Sequence, residues 1–305
     1  GWEKTYQAWD GTPKDSLKTN RTYNPAGTMY DEDGNLRSYY DNHTDNYQQT
    51  YYQLHFAHRF SKNLNLSSAA FYTKGKGYYE SFRNNESYAD YGFDDVIVGQ
   101  DTIFETNLID QKWLDNDFYG LNLAFNFNDG PWKATIGGGW NNYDGDHYGY
   151  VIWAKYASNS FIDKPWYENK GKKSDFNIFG KLSYEFNDKL NLFADLQYRG
   201  INYEMEGTHD DLRDITQSHD FEFFNPKGGV YYKLNDQHDL FASVAVANRE
   251  PSRTVYRDAA ENQEVKSERL VDYELGYKFR KPRLSFEAVA FYMDYKDQLV
   301  NTGQI

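Results

Sequence analysis

No cysteine occurs among the 305 residues, which excludes a disulfide scaffold, a thiolate metal site and a cysteine nucleophile together. Basic residues are in the minority: 33 Lys and Arg against 46 Asp and Glu leave a net charge of −13. No nucleic-acid partner is expected on that balance, because phosphate contacts need a surplus of Lys and Arg. Long apolar runs are missing too. None approaches the ~18 residues of a transmembrane helix, so no helical span is expected. The first residues, Gly1-Trp2-Glu3-Lys4, lack the basic stretch and apolar core of a secretory signal. The last, Asn301-Thr302-Gly303-Gln304-Ile305, carry no closing element, and both ends suggest a fragment. Mean hydropathy is −0.92, low enough for disorder. Yet 19% of residues are Phe, Trp or Tyr, and disordered chains are poor in aromatics. Something packs those rings.

What the chain does have is a recurring hairpin. A strand ends at a bulky apolar residue, a few turn residues follow, and a new strand begins. The turns are Ser61-Lys62-Asn63, Asn128-Asp129-Gly130-Pro131, Asn187-Asp188-Lys189, Asn235 to Asp239, and Arg280-Lys281-Pro282-Arg283. Most are built from Asn, Asp, Gly, Pro and Ser, which supply turn geometry and side-chain-to-backbone bonds. Five hairpins predict about ten strands. The flanks alternate: Val271, Tyr273, Leu275, Tyr277 and Phe279 share one face, while Asp272, Glu274, Gly276 and Lys278 share the other. Leu190 to Tyr198 and Tyr119 to Phe127 repeat the pattern. Period two over such lengths means strands with one apolar and one polar face.

A soluble sandwich alternates as well, but three features favour a membrane. Eight steps from Val271 to Phe279 cover about 26 Å at ~3.3 Å each, near the length of a tilted membrane strand. Short turns alternate with connections given room for roughly 20 to over 40 residues, long for a soluble domain. Aromatics gather at strand ends: Phe125, Phe127, Tyr184, Phe186, Tyr277 and Phe279 beside the turns, with Trp140, Tyr198 and Tyr292 opposite. Two interfacial girdles are the pattern of an outer-membrane barrel. The expected fold is therefore all-β: part of an antiparallel up-and-down transmembrane β-barrel, with residues 1–47 as a loop region and 48–305 as partial barrel. Leu121, Leu192, Val244 and Leu275 are expected to face lipid, and Asn122, Asp195 and Glu274 the lumen. Much of the acidity falls in the presumed loops, such as Asp41 to Asp45, Asp90 to Asp95 and His209 to Asp214.

Several runs add a family resemblance. Tyr72 to Glu80 (YTKGKGYYE), Trp113 to Gly120 (WLDNDFYG), Tyr143 to His147 (YDGDH), Phe224 to Lys227 (FNPK), Asn248 to Arg253 (NREPSR) and Tyr292 to Leu299 (YMDYKDQL) resemble the barrel of TonB-dependent outer-membrane receptors. The likeness is to the type abundant in Bacteroidetes, and it spans the chain from about Asn20. It implies short periplasmic turns, long extracellular loops and the outer membrane of a Gram-negative bacterium. It also implies energy-coupled uptake of a scarce nutrient, with an iron-siderophore chelate as the leading candidate. The implied partners are the TonB complex, reached through an N-terminal plug missing here, the small ligand, and outer-membrane lipid. The remaining alternatives are a passive porin or surface adhesin on a similar barrel, or a soluble all-β recognition module.

No enzyme and no cofactor is expected. His209 near Asp210, or Ser218 beside His219, are sequence neighbours, whereas a triad depends on geometry. Asp144-Gly145-Asp146-His147 mixes carboxylates with an imidazole but reads as a solvated turn rather than a metal site. Asp31 to Asn35 places its glycine too early for a calcium loop and reads as a hairpin turn. Tyr78, Tyr79, Trp113, Tyr148 and Trp153 lie in or beside presumed loops, where rings can stack on a ligand. Arg249 and Arg253 can pair with carboxylate or catecholate oxygens. With His147 they are expected on one outer rim. Either they bind ligand, or they pack loops together and brace a plug.

Overall fold

The computed structural model describes residues 1–6, 11–31, 33–157, 164–259, 263–298 and 300. Its strands are β1 (Trp2–Tyr6), β2 (Thr28–Tyr30), β3 (Leu36–Tyr39), β4 (Thr44–Arg59), β5 (Leu64–Ser87), β6 (Val96–Val98), β7 (Asp101–Ile103) and β8 (Glu105–Asp129). Then come β9 (Trp132–Ala154), β10 (Tyr167–Glu185), β11 (Leu190–Gly207), β12 (Gln217–Asn235), β13 (His238–Arg249), the short helix α1 (Arg253–Asp258), β14 (Glu268–Lys281) and β15 (Leu284–Lys296). One 11-stranded sheet runs β1-β4-β5-β8-β9-β10-β11-β12-β13-β14-β15. Its neighbours all pair antiparallel. The two small hairpins β2–β3 and β6–β7 sit in the connections. All five expected hairpins are present, and β1 adds a further edge strand, with Trp2 opposite Gln48.

The turn chemistry works locally. The Ser61 hydroxyl accepts from the backbone N–H of Asn63 and Leu64, and the Asn187 side chain accepts from Lys189 and Leu190. Gly130 turns the β8–β9 hairpin at φ +53°, a conformation most side chains resist. Asp31 closes β2 to β3 by accepting from the N–H of Asp33 and Asn35; Glu32 lies outside the described residues.

Register sorts the faces. One row passes from β8 to β15 through Phe127, Ala134, Leu182, Ala194, Gly228, Val244, Tyr273 and Tyr292. Leu121, Leu192, Val244 and Leu275 are all well exposed on this apolar outer face. Their polar neighbours pair on the opposite face: Ser243 donates to Glu274 at 3.1 Å, and Lys181 meets Asp195 at 3.6 Å. Aromatic belts bound the apolar band. Toward the long connections Tyr52 stacks on Tyr72 and Tyr119 meets Trp140 edge-on. At the short turns Trp132 lies 4.2 Å from Tyr184. Eight steps of β8 separate Tyr119 from Phe127, roughly 27 Å along the tilted strand, which suits a hydrocarbon band ~25 Å tall.

The strands continue well past the upper belt. β5, β8 and β9 have 24, 25 and 23 residues, where ~9–11 suffice to cross a bilayer. The connections shrink accordingly to residues 88–104, 155–166, 208–216 and 250–267, shorter than the sequence suggested. Polar composition imitated loops here, but cross-strand pairs keep the ladder going. Lys74 pairs with Asp115 and Asp117, Lys76 with Asp115, and Lys170 with Asp144 and Asp146. Gly75 makes room in this wall for the Tyr47 hydroxyl, which a Cβ there would displace from its bond to Asn116.

Candidate functional site

On the inner face, beyond the upper belt, one register row joins Glu3, Tyr47, Gly77, Leu114, His147, Asn169 and Gly207. Above it lies a cavity of about 660 Å³ that also takes in Tyr79, Lys112, Tyr167, His209, Asp210, Arg253 and Arg257. Gly77 leaves space where a side chain would intrude on the backbone of Asn46. Gly207, at φ +101°, lets the chain leave β11 and bring His209 over the row.

The arginines arrive on a strap, residues 250–258, that leaves β13 and folds against the inner wall. At its start Glu250 accepts from Lys173 (2.5 Å) and from both terminal nitrogens of Arg199 (3.0 and 3.2 Å). Arg199 also donates to Asp175. Pro251 is fully buried. At the far end Tyr256 is buried and stacks on His219, centroids 3.8 Å apart, beside Met205 and Ile215. Between these anchors Arg253 donates to the amide oxygen of Asn169 at 2.5 Å, while Asn169 itself donates to the Thr208 carbonyl. Arg257 meets Asp258 and the His209 ring. Lys112 pairs with Asp210 at 2.5 Å and lies over the Trp166 ring.

Burial, aided by Arg253 and His209, pushes the His147 imidazole, out beyond the belt, down to about 4. His209 is also lowered by burial, against the opposing pull of Asp210 and Asp211. Both rings are therefore neutral near pH 7. Arg253, Arg257 and Lys112 bring positive charge to the lining and Glu3, Asp45 and Asp210 negative charge; among the described residues the hydrogen-bond partner of Arg253 is an amide oxygen rather than a carboxylate. The walls carry aromatic surface from Tyr79 and Tyr167. Such a chamber can desolvate an anion and stack planar groups.

Of the expected rim residues, Tyr78, Tyr79, Trp113, His147 and Arg253 border this one cavity. They sit on paired strands or on the strap rather than in open loops. Tyr78 and Trp113 alternate with the inward residues, their rings 4.4 Å apart, and Tyr148 stacks on Trp113 outside the cavity lining. A bulge that skips Ile152 in the ladder shifts the parity of Trp153, leaving it exposed near Phe82 instead of in the cavity. Arg249 pairs with Glu268 at the end of β13. The Asp144-Gly145-Asp146-His147 run is strand, not turn. Its aspartates meet Lys170 on one face while His147 enters the cavity from the other, so the pleat denies the three a common ion. Among the described residues, His209, Asp210 and Asp211 have ligand atoms within 4.8 Å of one another, and Asp210 is already paired with Lys112.

Sequence reasoning passed over Lys112, Tyr167, Asn169, His209 and Arg257 as cavity residues. For Asn169 the missing information was register: its place opposite His147 follows only once the β9–β10 pairing is known. Glu250 and Arg253 were noticed together in one run, without the fold that separates their roles.

An 11-stranded antiparallel sheet with an apolar outer band, two aromatic belts and a polar inner chamber defines an outer-membrane-type barrel wall. Residues 2–305 match the family model for the TonB-dependent receptor-like β-barrel, and the chain belongs to that family. Among solved structures it resembles the ferric-catecholate import receptor Fiu from E. coli K12 in its closed form. That match has TM-score 0.63 and 14% identity, and covers 96% of this chain and 47% of Fiu. It also resembles the copper transporter OprC (TM-score 0.60, 12% identity, 81% of this chain and 38% of that one). The siderophore receptor PiuA from Acinetobacter baumannii gives 0.59 at 15% identity, over 81% and 40%. This chain thus spans less than half of each. No curated protein matches it in sequence. The family and these neighbours are receptors and transporters rather than enzymes.

Proposed function

We propose that this chain is the barrel part of an energy-coupled importer in the outer membrane of a Gram-negative bacterium, of the Bacteroidetes type, and that its cargo is an anionic iron-siderophore chelate. The long-connection end faces outward, the apolar band contacts lipid, and energy arrives from the TonB complex through an N-terminal plug. The observation that carries the cargo reading is Arg253, facing a cavity with aromatic walls, whose hydrogen-bond partner among the described residues is an amide oxygen. An anionic chelate offers that guanidinium its missing counter-charge. Fiu, named a ferric-catecholate import receptor, and PiuA, named a siderophore receptor, support the reading, and OprC, named a copper transporter, keeps it within metal uptake. The test is binding of a ferric catecholate to the full-length receptor. Arg253→Ala should weaken binding at least tenfold, and high salt should narrow the difference. Arg249→Ala, outside the cavity, should leave it unchanged. Equal effects of the two replacements would reject the site.

A further inference from the structure

We infer that Glu250 is a positioning residue: it latches the strap to the inner wall and thereby sets Arg253 in the cavity. The role rests on the binding site proposed above.

The latch is not a cross-strand neighbour contact. β13 pairs with β12 only as far as Ala245 opposite Lys227. Asn248 then prolongs that edge with side-chain and backbone bonds to Asn225. One residue beyond β13, Glu250 reaches across β12 to Arg199 on β11 and Lys173 on β10. Its side chain is only 12% exposed. Burial opposes its ionisation, yet the hydrogen bond from Lys173 and the charges of Lys173 and Arg199 prevail and hold it below the ordinary glutamate value. Arg199 is fixed in turn by Asp175, so the carboxylate meets a pre-set fork rather than a free side chain.

Arg253 lies three residues after this latch and three before the Tyr256 stack. With both ends fixed, the start of its side chain is fixed, and a ligand need not bear the cost of ordering it. Without Glu250 the start of the strap keeps its tie to β13, paired up to Arg249, and the buried Pro251, but loses the charged anchor to β10 and β11 that holds it against the inner wall. Ordering a strap and one long side chain at the moment of binding should weaken affinity roughly five- to tenfold.

The test uses the full-length receptor and ferric tris(catecholate) as probe. Glu250→Gln keeps the volume and removes the charge; Glu250→Ala removes both. Folding of each is checked by the heat-dependent shift of the barrel in gel electrophoresis, and the Gln variant serves if the Ala variant does not fold. Two readouts follow. Trypsin should cut after Arg253 and Arg257 faster in the Glu250 variants than in the parent, with no ligand present. Probe binding should fall roughly five- to tenfold, and Glu250→Gln should add nothing further in an Arg253→Ala background, because it acts through that arginine. Unchanged strap cleavage in a folded Glu250 variant would overturn the latch. So would a loss of binding that persists undiminished beside Arg253→Ala. Faster cleavage with no response of binding to Arg253→Ala would keep the latch and discard the cargo reading instead.

Discussion

Exchanging two neighbours on β14 for arginine tests the assignment of faces most directly. Leu275 is 59% exposed and lies between Ala242 and Ala290 in the ladder. It sits midway along a strand whose ends, Glu268 and Lys281, are polar. An arginine there enters hydrocarbon at mid-depth, at a cost of about 2 to 4 kcal/mol. Glu274 points the other way and accepts from Ser243. Replacing it with arginine forfeits that bond, roughly 0.5 to 1.5 kcal/mol, in an aqueous lumen where a new charge is solvated. The gap of about 2 kcal/mol corresponds to roughly 30-fold in the folding equilibrium. Reversible denaturant unfolding of the full-length barrel in lipid vesicles measures both. Equal losses, or a greater loss from Glu274→Arg, would refute the assignment of faces.

Gly75→Val should destabilise the extramembrane wall by about 1 to 3 kcal/mol, since its Cβ would displace the Tyr47 hydroxyl from its hydrogen bond to Asn116; thermal unfolding should register it, whereas Gly171→Val, with open space around it, should not. The isolated 305-residue chain leaves β1 and β15 as open edges and a wide apolar face, so it should need detergent or self-association; a folded monomer in plain buffer, seen by light scattering, would count against the membrane reading. The imidazole of His147 takes up its proton near 6.5 when unfolded but only at about 4 in place. Between those values the unfolded chain binds more protons, so stability contributed by this site falls as pH drops from about 6.5 toward 4. His147→Gln should flatten that slope in pH-dependent unfolding.

The hairpins were legible because their signals are local. Asn187 and Ser61 cap their own turns, and the Val271 to Phe279 alternation is a property of one strand. The strand extensions were hidden because Lys74, Asp117, Asp144 and Lys170 look like loop residues until they are set side by side, where opposite charges become a ladder. The cavity was half legible. Tyr79, His147 and Arg253 were singled out, but their meeting depends on register and on a strap held from three strands away, while the skipped Ile152 turns Trp153 out of the cavity. Arg249 and Arg253 look alike in the sequence; only the chain's inward course after Arg249 separates them.

The alternation that places Asp146 outside and His147 inside also constrains how such a wall can change over generations. Adding or deleting one residue in an extension exchanges every side chain beyond it between cavity and exterior, bringing Lys74 or Asp146 inward and sending His147 out. Pairs of residues preserve the inward set and merely raise or lower the chamber. A single addition is absorbed only where the ladder already slips, as beside Ile152 or between Arg83 and Glu86. Length variation in related walls should therefore come in steps of two, with odd steps confined to those slips and to the connections. A lineage could deepen its chamber without rebuilding it, and the chemistry it presents to a cargo would survive the change in height.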